Sequence, residues 1–253
     1  TEVSKDAASV ILTDDNFATI VKSVANGRNI YRNIKNSIKF LLSGNASGIL
    51  SVLYTSLLGL AMPFQAVHLL FINLLTDSLP AIAIGMEKPQ GDLLKEKPRG
   101  RSSSILDKDF VKEISFEGLI IAIFTLFSYH IGLKSDATIA SSMAFATLCL
   151  ARLFHGFNCR GNRSLFSIGF FRNRFSWLAF GFGLLLLNCV LFIPFLRDLF
   201  QVSILSTSQI ADIYLFAFMP TVIIQLTKVI RDKKADNIQE ISVENTTSTT
   251  KAA

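Results

Sequence analysis

Apolar residues fall into six long blocks separated by short polar, mostly basic segments: Ile38–Met62, Gln65–Met86, Ile114–Leu133, Ala137–Phe157, Phe175–Leu196 and Ile210–Ile230. A block of roughly 20 such residues is long enough, as a helix, to cross about 30 Å of hydrocarbon. Backbone N–H and C=O groups cannot stay unpaired there, so each block is expected to be a helix. The expected fold is a membrane all-α protein, a six-helix transmembrane bundle, with the first two spans joined by a tight turn at Pro63. Ahead of the bundle, Ala8–Leu12 reads as a short buried strand and Thr13–Asn16 as turn and N-cap chemistry. From Phe17 the spacing of Ile20, Val21, Val24, Ile30 and Tyr31 is helical, and no Pro interrupts it through Ile34, Ile38 and Leu41. A single stalk helix entering the first span is expected; a short amphipathic helix followed by a separate span is the competing reading. From Arg231 to Ala253 the chain is polar and Thr/Ser-rich and is expected to be disordered. The expected segments are 1–37 (soluble end and stalk), 38–230 (bundle) and 231–253 (tail).

Composition agrees with the blocks: half of the residues are apolar and only 17% are charged, against about 25% in soluble domains. The net charge of +6 would suit nucleic acid, but its placement argues for a bilayer instead. Lys88, Lys95, Lys97, Arg99, Arg101, Lys108 and Lys112 lie between the second and third blocks. Arg160, Arg163, Arg172 and Arg174 lie between the fourth and fifth, and Lys228, Arg231, Lys233 and Lys234 close the sixth. On the other side stand only Lys134 and Arg197. This positive-inside asymmetry puts both termini in the cytoplasm. The expected partner is the lipid bilayer, not nucleic acid. Cys149, Cys159 and Cys189 have no paired spacing and read as small buried hydrophobes. The chain opens on a polar stretch with no signal peptide and no initiator Met, so it is expected to be a fragment.

Candidate chemistry concentrates in the second block. A carboxylate amid apolar residues costs at least about 2.5 kcal/mol to insert and normally faces a cavity or pathway. Asn73, Thr76 and Asp77 share one helical face and offer an amide carbonyl, a hydroxyl and a carboxylate. Hard cations take such an all-oxygen set. Pro80 removes a backbone hydrogen bond one turn later, which can expose further carbonyls. The alternative is a polar clasp between helices with no ion. Asn45 in the first block can face the same site, while Ser43, Gly44, Ala46, Ser47 and Gly48 allow close helix approach. Arg152 in the fourth block has no acidic neighbour in sequence. Its permanent charge either pairs with Asp77 or a nearby cation site, or reaches back to the cytoplasmic interface. Glu113, Glu117 and His130 read as interfacial. Phosphate-loop, triad and Cys/His cluster motifs are absent, so no catalytic residue is expected in this chain.

Three stretches, in order, carry a resemblance. Ala7–Phe17 resembles the end of the phosphorylation domain of P-type ATPases, Gly27–Lys35 the stalk of their fifth membrane helix, and Asn73–Ala81 the sixth helix of the calcium-transporting branch. The resemblance spans nearly the whole chain and weakens in the tail. It implies the last six spans of such a pump, with a short remnant of the α/β phosphorylation domain in front. It also implies ATP-driven export of calcium from the cytoplasm, with Asn45, Asn73, Thr76 and Asp77 as metal ligands. Two departures stand out. Two-calcium pumps carry Glu where Gly48 and Arg152 stand, so one calcium per cycle is implied, with Arg152 as built-in countercharge. ATP and magnesium would be bound by the missing N-terminal part, because the Asp-Lys-Thr-Gly-Thr phosphorylation sequence is not in this chain. The chain alone should therefore not hydrolyse ATP. The simplest location is a bacterial plasma membrane. Manganese, alone or with calcium, is the nearest alternative cargo; an ATP-independent channel, carrier or regulatory subunit derived from a pump is the alternative of another class.

Overall fold

The computed structural model describes residues 2–14, 16–96, 98, 100 and 104–251, with the backbone alone described for residues 75 and 238–251. Asp15, Lys97, Arg99 and Arg101, which entered the sequence reading, lie outside the described residues, as do the side chains of the expected tail beyond Asn237.

Among the described residues every regular element is a helix. The stalk helix α2, Phe17–Leu57, runs 41 residues without a break. Asn16 starts it, its side chain accepting from the Ala18 N–H. Gly59, at φ +64°, ends it. The Gly59 N–H reaches the Ser56 carbonyl and the Leu60 N–H the Thr55 carbonyl, the paired bonds that close a helix with a left-handed residue. Asn33, Asn36, Lys39, Ser43, Ser47, Ser51 and Thr55 of α2 are buried, while Ile49, Leu53 and Leu57 are exposed. A soluble amphipathic helix would bury the opposite face. This inverted face suits a helix whose apolar side meets lipid and whose small and polar side meets other helices.

Ahead of α2, a short helix α1 (Glu2–Ala7) precedes irregular residues from Ala8 to Leu12, exposed but for the half-buried Leu12. The expected strand is not formed there. A strand is stabilised by its neighbours, and no strand lies among the described residues to pair with it.

The second apolar block is not one helix. It divides into α3 (Ala66–Phe71), a wide π turn (Ile72–Thr76) and α4 (Ser78–Gly85). Next come a 3₁₀ turn at Leu93–Lys95 and helices α5 (Lys108–Leu133), α6 (Ala137–Asn158) and α7 (Leu165–Ile168). The fifth block is also divided. Helix α8 (Arg174–Phe192) stops at the extended residue Ile193, and α9 (Pro194–Leu199) restarts behind it. Pro194 has no N–H to continue α8, and it pushes the residue before it out of the helical region. Helix α10 runs from Thr207 to Lys251.

Five of the helical stretches are long and apolar enough to cross a membrane: Phe17–Leu57, Ala66–Gly85, Ala137–Asn158, Arg174–Phe192 and Thr207–Asn237. The remaining expected span, α5, is a 26-residue helix whose first turns carry Lys108, Asp109, Lys112, Glu113 and Glu117. Helix α6 is the hub, packed against α5, α8 and α10, and α2 lies against α5 and α4. The core follows this arrangement: Met143, Ala144, Phe145, Ala146, Leu148, Cys149 and Leu150 of α6 are wholly buried.

At the end of the bundle where the basic connections lie, the stalk grips the segment after α4. Arg28 donates to the carbonyls of Leu93 (2.6 Å) and Glu96 (2.8 Å). Asn33 donates to the carbonyls of Gly85 (3.1 Å) and Glu87 (2.8 Å). Lys35 meets Asp107, the N-cap of α5, at 2.7 Å. Asp107 is held below the ordinary carboxylate range, chiefly by the hydrogen bond from Lys35 and then by the Phe110 N–H. A depressed acid stabilises the fold above its unfolded pKa and loses that contribution as pH falls through the folded value. Thermal melts of Asp107→Asn should therefore lie below the parent near neutral pH and converge with it in acid. Parallel curves at all pH values would refute the assignment.

Candidate cation site

The π turn positions the site. Within it the Asp77 N–H reaches the Ile72 carbonyl, five residues back, at 3.0 Å. Such single wide turns are uncommon in helices and concentrate at functional positions. Pro80, three residues on, has no N–H for the Thr76 carbonyl, so the usual ladder is interrupted at both levels. Thr76 is buried, and its hydroxyl donates to the Ile72 carbonyl at 2.8 Å.

Asp77 is 3% exposed and Arg152, from the middle of α6, is 2% exposed. One guanidinium nitrogen, Nη2, serves two acceptors: the Asp77 carboxylate Oδ2 at 2.5 Å and the Asn45 amide oxygen at 3.0 Å. Arg152 is therefore turned into the bundle, and the reading in which it reaches back to the interface does not hold. The other Asp77 oxygen, Oδ1, is buried with no hydrogen-bond partner among the described residues. A buried carboxylate oxygen left open in this way is a position a cation can fill. Asn73 is exposed and does not share the burial of Thr76 and Asp77. It lines, with Asn45, Gly48, Ile72, Leu148 and Arg152, a cavity of about 710 Å³ between α2, the π turn and α6. Two amide side chains and one guanidinium thus face the cavity, and Arg152 is the lining residue that bonds Asp77.

Towards the basic end lies a second buried polar group that sequence reasoning missed. Lys39 of α2 is 1% exposed, with its ammonium 3.6 Å from Glu113 and 3.7 Å from Glu117. His155 Nε2 lies 2.8 Å from the Ser43 hydroxyl, 3.5 Å from Glu117 and 3.2 Å from the Cys159 sulfur. Glu117, expected at the interface, is in fact 4% exposed and faces inwards across the α2–α5 contact. Its glutamate-rich turn gave no sign of this, because Lys39 is 78 positions away in sequence (117 less 39). Glu117, His155 and Cys159 present ligand atoms within 4.8 Å of one another, but the Lys39 ammonium already balances the carboxylate.

A third group ties the basic end together. Arg160 is 0% exposed and meets the Glu87 carboxylate with two nitrogens, at 2.8 and 3.1 Å. It also donates to the carbonyls of Phe170 (3.0 Å) and Gly169 (3.2 Å). Asn173 donates to Glu87 at 2.9 Å and to the Ala83 carbonyl at 2.8 Å. The sequence reading placed Arg160 in a basic connecting loop; the structure buries it beneath the α6–α8 connection.

Residues 61–230 match a protein-family model described as Cation transporting ATPase, C-terminus. The chain belongs to this family. Among its curated relatives is a calcium-transporting ATPase 1 from Bacillus cereus, 38% identical over 248 residues, covering 90% of this chain and 28% of the relative. A protein of the same name from Lactococcus lactis is 41% identical over 203 residues, covering 80% of this chain and 23% of the relative. The rat calcium-transporting ATPase type 2C member 2 is 33% identical over 210 residues, covering 81% of this chain and 22% of the relative. The chain therefore spans about a quarter of the length of the relatives it matches. Within this cation-transporting ATPase C-terminal region, the matched residues include the π turn, Asp77 and Arg152 but not the stalk portion of α2 or Asn45.

Proposed function

We propose that this chain is the C-terminal membrane part of an ATP-driven pump that exports calcium from the cytoplasm, one ion per cycle. The single observation that carries the one-ion reading is the buried Arg152–Asp77 pair. A fixed positive charge occupies one side of the site and is bonded to its only buried carboxylate. Asn45, Asn73, Thr76 and Asp77 supply amide, hydroxyl and carboxylate oxygens to the cargo, a donor set suited to calcium. The names of the relatives support calcium as the ion. To hold it, the cation must compete with Arg152 for Asp77, so the guanidinium acts as the site's own counterion when it is empty.

In this reading α5 is a further span, making six, and both termini lie on the cytoplasmic side of the plasma membrane. Phosphorylation, ATP and magnesium belong to the rest of the pump. The stalk helix α2 links that part to the site, since it carries the loop contacts at Arg28 and Asn33 and also Asn45. The test is the number of calcium ions taken up per ATP hydrolysed by the full-length protein in proteoliposomes, with manganese as competitor. A ratio near one supports the reading, and a ratio near two overturns it. Uptake of manganese without calcium would replace the cargo.

A further inference from the structure

Gly44 lies on α2 where the Arg152 guanidinium crosses it. A Cβ added at this position would stand 2.5 Å from Nε, 2.6 Å from Nη2 and 2.7 Å from Cζ of Arg152. No other glycine of α2 is so placed: Gly27 has nothing within 4 Å, and Gly48 has only a Leu148 methyl at 3.9 Å. A flexible arginine end would ordinarily move aside. This one is held through Nη2, the nitrogen that a Gly44 side chain would crowd, by Asp77 at 2.5 Å and Asn45 at 3.0 Å, and it is 2% exposed. The guanidinium is planar and rigid, so it cannot bend around a methyl group without leaving those partners. A glycine inside a helix is also less favourable than alanine. The chain keeps it where the arginine needs the space.

We propose that Gly44 is the positioning residue that seats Arg152 against Asp77 and Asn45, and so sets how readily the site takes up its cation. This rests on the reading of Asp77 and its neighbours as the transport site. The empty surface of Gly44 lets the guanidinium lie flat on the α2 backbone, with its charge spent on Asp77. A side chain there displaces the guanidinium towards the cavity it already lines, where it repels the incoming cation.

The test is a double-mutant cycle in the full-length pump: Gly44→Ala and Arg152→Ala, alone and together, with Arg152→Lys as a second background that keeps a positive charge without the planar fork. Two readouts are taken: the calcium concentration for half-maximal ATP-dependent uptake, and the melting temperature. With Arg152 present, Gly44→Ala should raise the half-maximal concentration about fivefold or more, within the range of coupling between touching residues. It should also lower the melting temperature, although alanine is the better helix former. With Arg152→Ala or Arg152→Lys the same change should shift the concentration less than about twofold and leave the melt unchanged or raised. An equal effect of Gly44→Ala in all backgrounds overturns the proposal, because it would mean that the glycine serves backbone packing alone. So would a rise in melting temperature with Arg152 present. The melting cycle needs no transported ion. If the parent takes up no calcium, the functional reading fails while the seating of Arg152 is still decided.

Discussion

Asp77→Asn in the full-length pump is expected to abolish ATP-dependent calcium uptake into inside-out vesicles. The substitution keeps the size and one carbonyl oxygen but removes the negative charge. Asp77 is the only acidic residue of the Ala66–Gly85 stretch, so no neighbour in the π turn replaces it. The loss has two parts. The cargo loses its anionic ligand, and Arg152, 2.5 Å away, is left buried and uncompensated. Breaking a buried pair from one side costs about 3–5 kcal/mol, so the single variant should also melt lower. The double variant Asp77→Asn, Arg152→Gln separates the two effects. It removes both charges and should recover most of the stability while uptake stays below about one-hundredth of the parent, the equivalent of roughly 3 kcal/mol. Uptake retained in Asp77→Asn would move the site away from the π turn. Recovery of uptake in the double variant would make the pair a structural clasp.

Glu87→Ala is expected to destabilise the protein by about 3–5 kcal/mol, the cost of leaving a buried charge without its partner. The Arg160 and Glu87 side chains are 0% and 1% exposed, so no water relieves the orphaned guanidinium. The two-pronged geometry adds to the effect, because a bidentate arginine–carboxylate contact is among the stronger hydrogen-bonded pairs. Glu87 also receives Asn173 at 2.9 Å, so its loss loosens the entry to α8 as well as the end of α6. The paired replacement Glu87→Leu, Arg160→Met should cost less than either single change, since an apolar pair leaves no charge behind. Thermal unfolding in lipid nanodiscs compares the parent, Glu87→Ala, Glu87→Leu, Arg160→Met and the paired variant. A drop below about 1 kcal/mol for Glu87→Ala, the range of exposed pairs, would show that the contact opens to water.

The Lys39–Glu117–His155 group raises a related point about how this bundle is built. On α2, apolar residues such as Ile49 and Leu57 face outwards, while the charge of Lys39 faces inwards. Helix association in such a bundle relies on small residues and on polar contacts, because lipid offers apolar residues no reason to leave it. Ser43, Ser47, Ser51 and Thr55 each return their hydroxyl to their own helix backbone, which lets α2 present a satisfied polar stripe to α5 and α6.

The division between sequence and structure follows from physical range. Helical periodicity is local, so the continuous stalk from Phe17 was legible from spacing and from the absence of proline. The long apolar blocks likewise announced a helical membrane protein, and an acid in the middle of one marked Asp77. Residues 8–12 have the composition of a strand, yet a strand depends on partners that the described chain does not supply. The break at Ile193 was readable from Pro194 but was outweighed by the length of the apolar run around it.

Other features had no local signature. The π turn at Ile72–Thr76 widens the backbone ladder by one residue over a single turn, too short to leave a periodicity in the sequence. Arg160, Lys39 and Glu117 each carry a charge whose partner lies far away in sequence, so composition could say that a charge was costly but not where it was answered; for Arg152 the sequence offered Asp77 as one of two answers, and the structure makes that pair. Gly44 looked like one small residue among several. Only the crossing of α2 and α6 shows that it leaves room for a guanidinium. The chain alone therefore marked a bundle of membrane-type helices with an acid in the middle of one of them. Tertiary structure decided which charges are spent on each other and which oxygen is left open, because buried electrostatics depends on distances of a few ångströms between segments that sequence order does not bring together.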